Sequence, residues 1–188
     1  MRPERLNALT DGVVAIVLTI MVLELKFPEE PTFGAVLAVL PLLAAYLLAF
    51  IYVALYWNNH HHMLQSAHRV TGRVLWANHS LLFCLTLFPL MIRWIDEAGV
   101  TPWPVASFGL VLSAAALTYR VLQWALANAE GEGSKISEVV RHPLKEYSSL
   151  ILYIIAIVLA FFVPYVSVAI YVLVAMIWIV PDRRFVRA

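Results

Sequence analysis

Six apolar segments, each bounded by charge or proline, make up most of this chain and leave it few possible folds. The first runs from Leu9 to Phe27 and is closed by Pro28 and the Glu29-Glu30-Pro31 turn. The second spans Phe33 to Trp57, with Pro41 early in it, and the third Val74 to Ile95, with Pro89 near its far end. The fourth follows Pro102-Trp103-Pro104 and reaches Ala127; the fifth is Tyr147 to Val163; the sixth, Val166 to Val180, stops at Pro181. These runs are long, continuous and rich in Leu and Ala, without the alternation of a membrane barrel strand. They predict an all-α integral membrane protein with six transmembrane helices in one domain, residues 1–188. No internal repeat divides the chain into two inverted halves.

Composition agrees with this reading. Hydrophobic residues are 62% of the chain and mean hydropathy is +0.82, where soluble domains are about half apolar. A net charge of +1 gives no reason to expect nucleic acid or acidic substrates. Tyr and Trp cluster near the span ends, as in aromatic belts. Cys84 is the one cysteine, mid-span, so no intrachain disulfide can form.

Orientation follows from the 13 Lys and Arg residues. All but Lys26 and Arg93 fall at one set of span ends, which the positive-inside rule places in the cytoplasm. Both termini then lie there, as an even number of spans requires. The expectation is a multi-pass protein of the cell's inner or plasma membrane. Arg2 and Arg5 before an apolar run imitate a signal peptide. Asp11 and Glu24 interrupt that pattern and no small-residue cleavage site follows, so the segment is expected to be kept. The tail Arg183, Arg184 and Arg187 reads as a lipid-headgroup anchor, and Arg120 as a side chain that snorkels to the inner interface. The polar linker from Asn128 to Lys145 reads as a solvated connection with room for a short helix.

The first segment is the unusual one. Its uncharged run, Gly12 to Leu23, is 12 residues, about 18 Å of helix, and is bracketed by Asp11 and Glu24. A carboxylate near membrane depth needs a partner or water, so this helix is expected to be central rather than lipid-facing. Gly12, Ile16, Thr19, Leu23 and Phe27 recur at helical spacing and form one narrow stripe. Helix packing is the commoner meaning of such a stripe. The sharper meaning is a pore, with apolar rings that gate by dewetting and a ring of hydroxyls against a partly dehydrated ion. One helix cannot enclose a pore, so this second meaning demands an oligomer with the helix at its axis. Asp11 lies about 140° from Ile16 on the helical wheel, turned away from the stripe. Its candidate partners are Arg5, Trp57, His60, His61, Asn78 and His79.

His60, His61 and His62 invite a metal reading, with His68 and His79 downstream. Adjacent helical residues point about 100° apart, so three in a row cannot share an ion. His61 and His68 can share a face, but no cysteine or carboxylate nearby completes a tetrahedral site. Membrane-boundary histidines in a polar network are the expectation, and no metal. A proton path through Asp11 and the histidines, or a membrane metalloenzyme with a histidine site, are the competing readings. No Walker loop, GxSxG, dinucleotide motif or TVGYG filter occurs.

At the opening helix the sequence resembles the transmembrane protein 175 family, lysosomal potassium channels with shorter bacterial relatives. The family's signature is Arg, three residues, then Phe-Ser-Asp; here Arg5-Leu6-Asn7-Ala8-Leu9-Thr10-Asp11 keeps Arg5 and Asp11, with Leu9 for Phe and Thr10 for Ser. Tyr56-Trp57-Asn58-Asn59-His60-His61 is a second match, and Trp76-Ala77-Asn78 running on to Leu87-Phe88-Pro89 a third. The resemblance covers nearly the whole chain. It implies a bacterial-type six-helix member, not an enzyme, assembled as a homotetramer with four first helices around a pore. By position in the motif, it implies that Ile16 forms the constriction, that Thr19 contributes to potassium preference, and that Leu23 forms a second apolar ring. It also implies a polar network that includes Arg5 and Asp11 and, by the matched motifs, Thr10, Trp57, His60, His61 and Asn78. The expected partners are potassium ions, membrane lipid and copies of the same chain, with no cofactor beyond the permeant ion.

Overall fold

The computed structural model describes residues 3–26, 28–29, 31–141 and 143–179. They form eight helices: α1 (Pro3–Leu23), α2 (Phe33–Gln65), α3 (Gly72–Thr86), α4 (Phe88–Ala98), α5 (Pro102–Glu130), α6 (Lys135–Arg141), α7 (Leu144–Leu159) and α8 (Pro164–Ile179). No strand occurs among the described residues. Four stretches are long and apolar enough to cross a membrane: α1, α2, the α3–α4 stretch Gly72–Ala98, and α5. Helices α7 and α8 have 16 residues each, about 24 Å of helix against a hydrocarbon core of about 30 Å.

Several boundaries differ from the sequence expectation, for local reasons. Helix α1 begins at Pro3, a residue suited to a first turn, and ends at Leu23 before Glu24. Its 21 residues reach about 31 Å, so polar N-terminal turns complete the length that the uncharged run lacks. Helix α2 continues past Trp57 to Gln65, because nothing from Asn58 to Leu64 breaks it and His60, Met63 and Leu64 are buried along the way. The third segment is broken at Leu87. Pro89 has no N–H to return to the Leu85 carbonyl and its ring crowds that group, so α4 restarts with proline in its first turn. Helix α5 runs on to Glu130, where Gly131 takes the left-handed φ of 92° that stops it.

The linker is more than a connection. It contains α6, whose Ile136 is fully buried. Arg120 is held within the fold: its Nη2 donates to the Val140 carbonyl at 2.7 Å and its Nη1 to Gln123 Oε1 at 3.3 Å, tying α6 to α5. Glu130 closes the α2–α3 loop, its Oε1 accepting from the backbone N–H groups of His68 and Arg69 at 2.6 and 2.7 Å. The basic tail, the end of the sixth segment at Val180, Phe27 and Arg2 lie outside the described residues.

Helix α5 is the central post. It packs against α3 and α4 on one side and α7, α8 and α6 on the other, with Leu112, Leu122 and Leu126 fully buried. Helix α1 packs against α2, α3 and α4, at the edge of the bundle. Three tyrosines bind the far half together through donors pointed inward. Tyr153 donates to Tyr52 Oη at 3.3 Å, Tyr52 to the Tyr171 carbonyl at 2.6 Å, and Tyr171 to the Val105 carbonyl at 3.1 Å. In a low-dielectric interior such satisfied chains fix a single packing. Outward residues of α7 and α8, among them Ile151, Ile154 and Met176, are exposed and apolar, as is Phe162 in the turn between them.

Candidate functional site

Helix α1 has two faces with opposite fates. Leu6, Thr10, Val14, Val17 and Met21 recur at helical spacing and are buried against the bundle. On the opposite face Gly12, Ile16, Thr19 and Leu23 are exposed, Ile16 to 59% and Leu23 to 79%. The open face is wider than the four-residue stripe, since Leu9, Ala15, Ile20 and Val22 are exposed too. A Cβ added at Gly12 would meet nothing within 4 Å. Nothing inside the subunit therefore requires glycine at this helical site, where it costs about 1 kcal/mol relative to alanine.

Thr19 is the hydroxyl on that face. Its Oγ1 donates back to the Ala15 and Ile16 carbonyls at 3.0 and 2.9 Å. With the proton spent on the helix, the oxygen lone pairs are what the side chain presents outward. Such an oxygen favours a cation over an anion.

Behind this face, α1 is pinned by polar contacts. Thr10, His60 and Asn78, from α1, α2 and α3, are all buried and mutually bonded. His60 Nε2 lies 2.7 Å from Asn78 Oδ1, Asn78 Nδ2 donates to Thr10 Oγ1 at 3.2 Å, and Thr10 Oγ1 donates to the Leu6 carbonyl at 3.1 Å. Thr10 Oγ1 and His60 Nε2 are 3.5 Å apart. The short contact to Asn78 Oδ1 requires a proton on His60 Nε2. Asp11 is half-buried and accepts from Trp57 Nε1 at 2.7 Å, with Asn7 Nδ2 at 3.4 Å from its other oxygen. His61 stacks on the Trp57 ring, centroids 5.6 Å apart, and pairs with Gln65 at 2.8 Å.

Of the residues named for a polar network, the structure thus brings together Thr10, His60 and Asn78 as one group and Asp11, Trp57 and His61 as a neighbouring one. Arg5 joins neither; it is exposed and, among the described residues, forms no hydrogen bond or ion pair. His79 turns outward, its Nδ1 on the Leu75 carbonyl at 2.6 Å. His68 pairs with Glu130. Among the described residues no three His, Cys, Asp or Glu side chains converge. Asn7 and Gln65 were missed from sequence. Each stands four residues from its partner on the same helix, a spacing that flags such pairs.

An all-helical chain with membrane-length apolar helices and one helix pinned by a buried polar group defines a polytopic membrane protein. Residues 5–89 match the family model described as endosomal/lysosomal potassium channel TMEM175. A potassium channel of Chryseobacterium sp. is 46% identical over 180 residues, covering 96% of this chain and 94% of that one. A potassium channel of Streptomyces collinus is 28% identical over 130 residues, 65% of this chain and 63% of the relative. The fold matches the crystal structure of a lysosomal potassium-selective channel TMEM175 homolog from Chamaesiphon minutus, with a TM-score of 0.83, 22% identity and 97% of both chains covered. The chain belongs to the TMEM175 family, a family of potassium channels and not of enzymes.

Proposed function

We propose that this chain forms a potassium-permeable channel as a homotetramer in the cell's inner or plasma membrane, with six spans per subunit, both termini cytoplasmic and four copies of α1 around the axis. The open face of α1 carries the reading. It is apolar but for one hydroxyl, faces away from the bundle, and sits on a helix pinned by buried polar bonds. Gly12, which has no packing duty within the subunit, suits a crowded approach of copies near the cytoplasmic mouth. Ile16 and Leu23, seven residues and about 10 Å apart along the axis, are the apolar rings that close or narrow the path by dewetting. Between them, Thr19 oxygens replace part of the water of a permeating potassium ion. The exposed apolar faces of α7 and α8 then meet lipid; tilting or local bilayer thinning accommodates their short length.

Thr19→Val tests the role of the hydroxyl. The two side chains have nearly the same shape and Thr19 is exposed in the subunit, so the fold is retained. The permeability ratio of potassium to sodium is expected to fall roughly fivefold, the equivalent of about 1 kcal/mol for a lost polar contact. Reversal potentials under bi-ionic conditions measure it. An unchanged ratio removes Thr19 from the selectivity site.

A further inference from the structure

On the side of the bundle away from α1, a cavity of about 40 Å³ lies between α2, α5, α7 and α8. Its walls include the rings of Tyr56, Tyr119, Tyr153 and Trp178, with Glu146, Ser149 and Asn59 as polar members. About 10–15 Å³ is enough for one water-sized particle, so a few such particles fit. Several of the polar groups have protons committed to the protein. Trp178 Nε1 donates to Ser149 Oγ at 2.9 Å, Ser149 to the Lys145 carbonyl at 2.8 Å, and Asn59 Nδ2 to the Leu55 carbonyl at 2.7 Å. Tyr153 donates to Tyr52. Beside the second Asn59 amide proton and the Tyr56 hydroxyl, an occupant meets electron-rich groups: ring faces, oxygen lone pairs and a carboxylate. Glu146 Oε2 is buried with no hydrogen-bond partner among the described residues. A buried carboxylate oxygen left so is costly unless something positive or protic meets it. The Trp178 ring already attracts a cation in this structure, since Lys145 Nζ stands 4.5 Å from its centroid.

We propose that this cavity binds a small, water-sized monovalent cation, potassium or ammonium, held by the Glu146 carboxylate and the surrounding aromatic faces. The site is within one subunit and separate from the α1 face, so it does not depend on the channel reading above. By bridging α7 to α2, α5 and α8, a bound cation stabilises the half of the bundle that supports the pore helix from behind.

The test is thermal unfolding of the purified full chain in potassium chloride, ammonium chloride and N-methylglucamine chloride at one ionic strength. The last cation is too large for the cavity. At ten times Kd the small cations are expected to raise the melting temperature by roughly 3–6 °C over N-methylglucamine, from ligand linkage and the unfolding entropy of a chain this size. The salt that acts at lower concentration identifies the ion. Glu146→Gln, nearly isosteric, is expected to lose the shift, and Thr19→Val to keep it. Should Glu146→Gln not fold, Glu146→Asp keeps the charge one methylene short and is expected to need more cation for the same shift. Identical melting in all three salts, or a shift that survives Glu146→Gln undiminished, overturns the proposal and leaves a cavity holding water only. So does a shift lost in Thr19→Val but kept in Glu146→Gln, which places the cation in the pore.

Discussion

Ile16→Asn is expected to raise resting potassium conductance on the order of tenfold or more, a tenfold change corresponding to about 1.4 kcal/mol off the permeation barrier. The reasoning starts from burial. Ile16 is 59% exposed within the subunit, so the change leaves few packing contacts behind and the bundle survives it. In the proposed tetramer the same position would form a ring of apolar side chains that water avoids. Four amides in their place offer donors and acceptors, so the constriction stays wet and an ion crosses it without shedding all its solvent. The neighbouring Val17 is the control for position on the helix. It is 2% exposed and faces the bundle core, and Val17→Asn places an amide there with no partner. That variant is expected to fold poorly and to give no added conductance per assembled channel. Single-channel or macroscopic currents from tetramers verified by size separate the two. Unchanged current in well-assembled Ile16→Asn removes this residue from the constriction.

Gly109→Ala is expected to lower stability markedly. A Cβ built at Gly109 falls 2.1 Å from the Tyr171 hydroxyl oxygen and 2.7 Å from Ile157 Cγ1, well inside any real contact. The tyrosine cannot simply swing away, since it donates to the Val105 carbonyl one turn earlier on the same helix and its ring is fully buried beside Phe108 and Tyr153. Glycine is therefore what lets α5, α7 and α8 approach so closely. Overpacking of this kind costs about 1–3 kcal/mol, which lowers the melting temperature of a chain this size by roughly 2–12 °C. Tyr171→Phe removes the nearest atom, so the double variant is expected to recover part of that loss. Melting temperatures around the four-member cycle measure the coupling, and additive losses count against this contact as the cause.

The sequence made the helical class and most element positions legible because hydrophobic runs closed by Pro, Gly or charge are strong local signals. The family was legible as well, from the Arg5–Asp11, Tyr56–His61 and Trp76–Pro89 stretches taken together. Element ends were harder to read. The polar run Asn58–His62 looked like the end of α2, yet its periodicity lets His60 and Met63 face inward while Asn58 stays out, so the helix continues. The Pro89 break was read as a late feature of one helix, although the residue also starts a new one. The contacts of Arg120 and Glu130 are out of reach for another reason: each acts through backbone groups of a distant segment, Val140 in one case and His68 and Arg69 in the other. No spacing in the chain announces such contacts. The close approach at Gly109 was likewise invisible, since a single glycine in an apolar helix does not say what lies against it. The α1 face was legible in part. Helical spacing identified the stripe, and the bundle leaves Gly12, Ile16, Thr19 and Leu23 uncovered, but the rings proposed for it require other copies of the chain.

Potassium against sodium flux in liposomes holding the purified protein tests the central claim most directly, each ion driven by its own gradient and read with a proton-coupled dye. The expected result is potassium flux well above sodium flux in tetramer-containing vesicles, increased further by Ile16→Asn. Flux of both ions at the level of protein-free vesicles, from intact tetramers of both the unaltered chain and Ile16→Asn, would contradict a potassium path along α1.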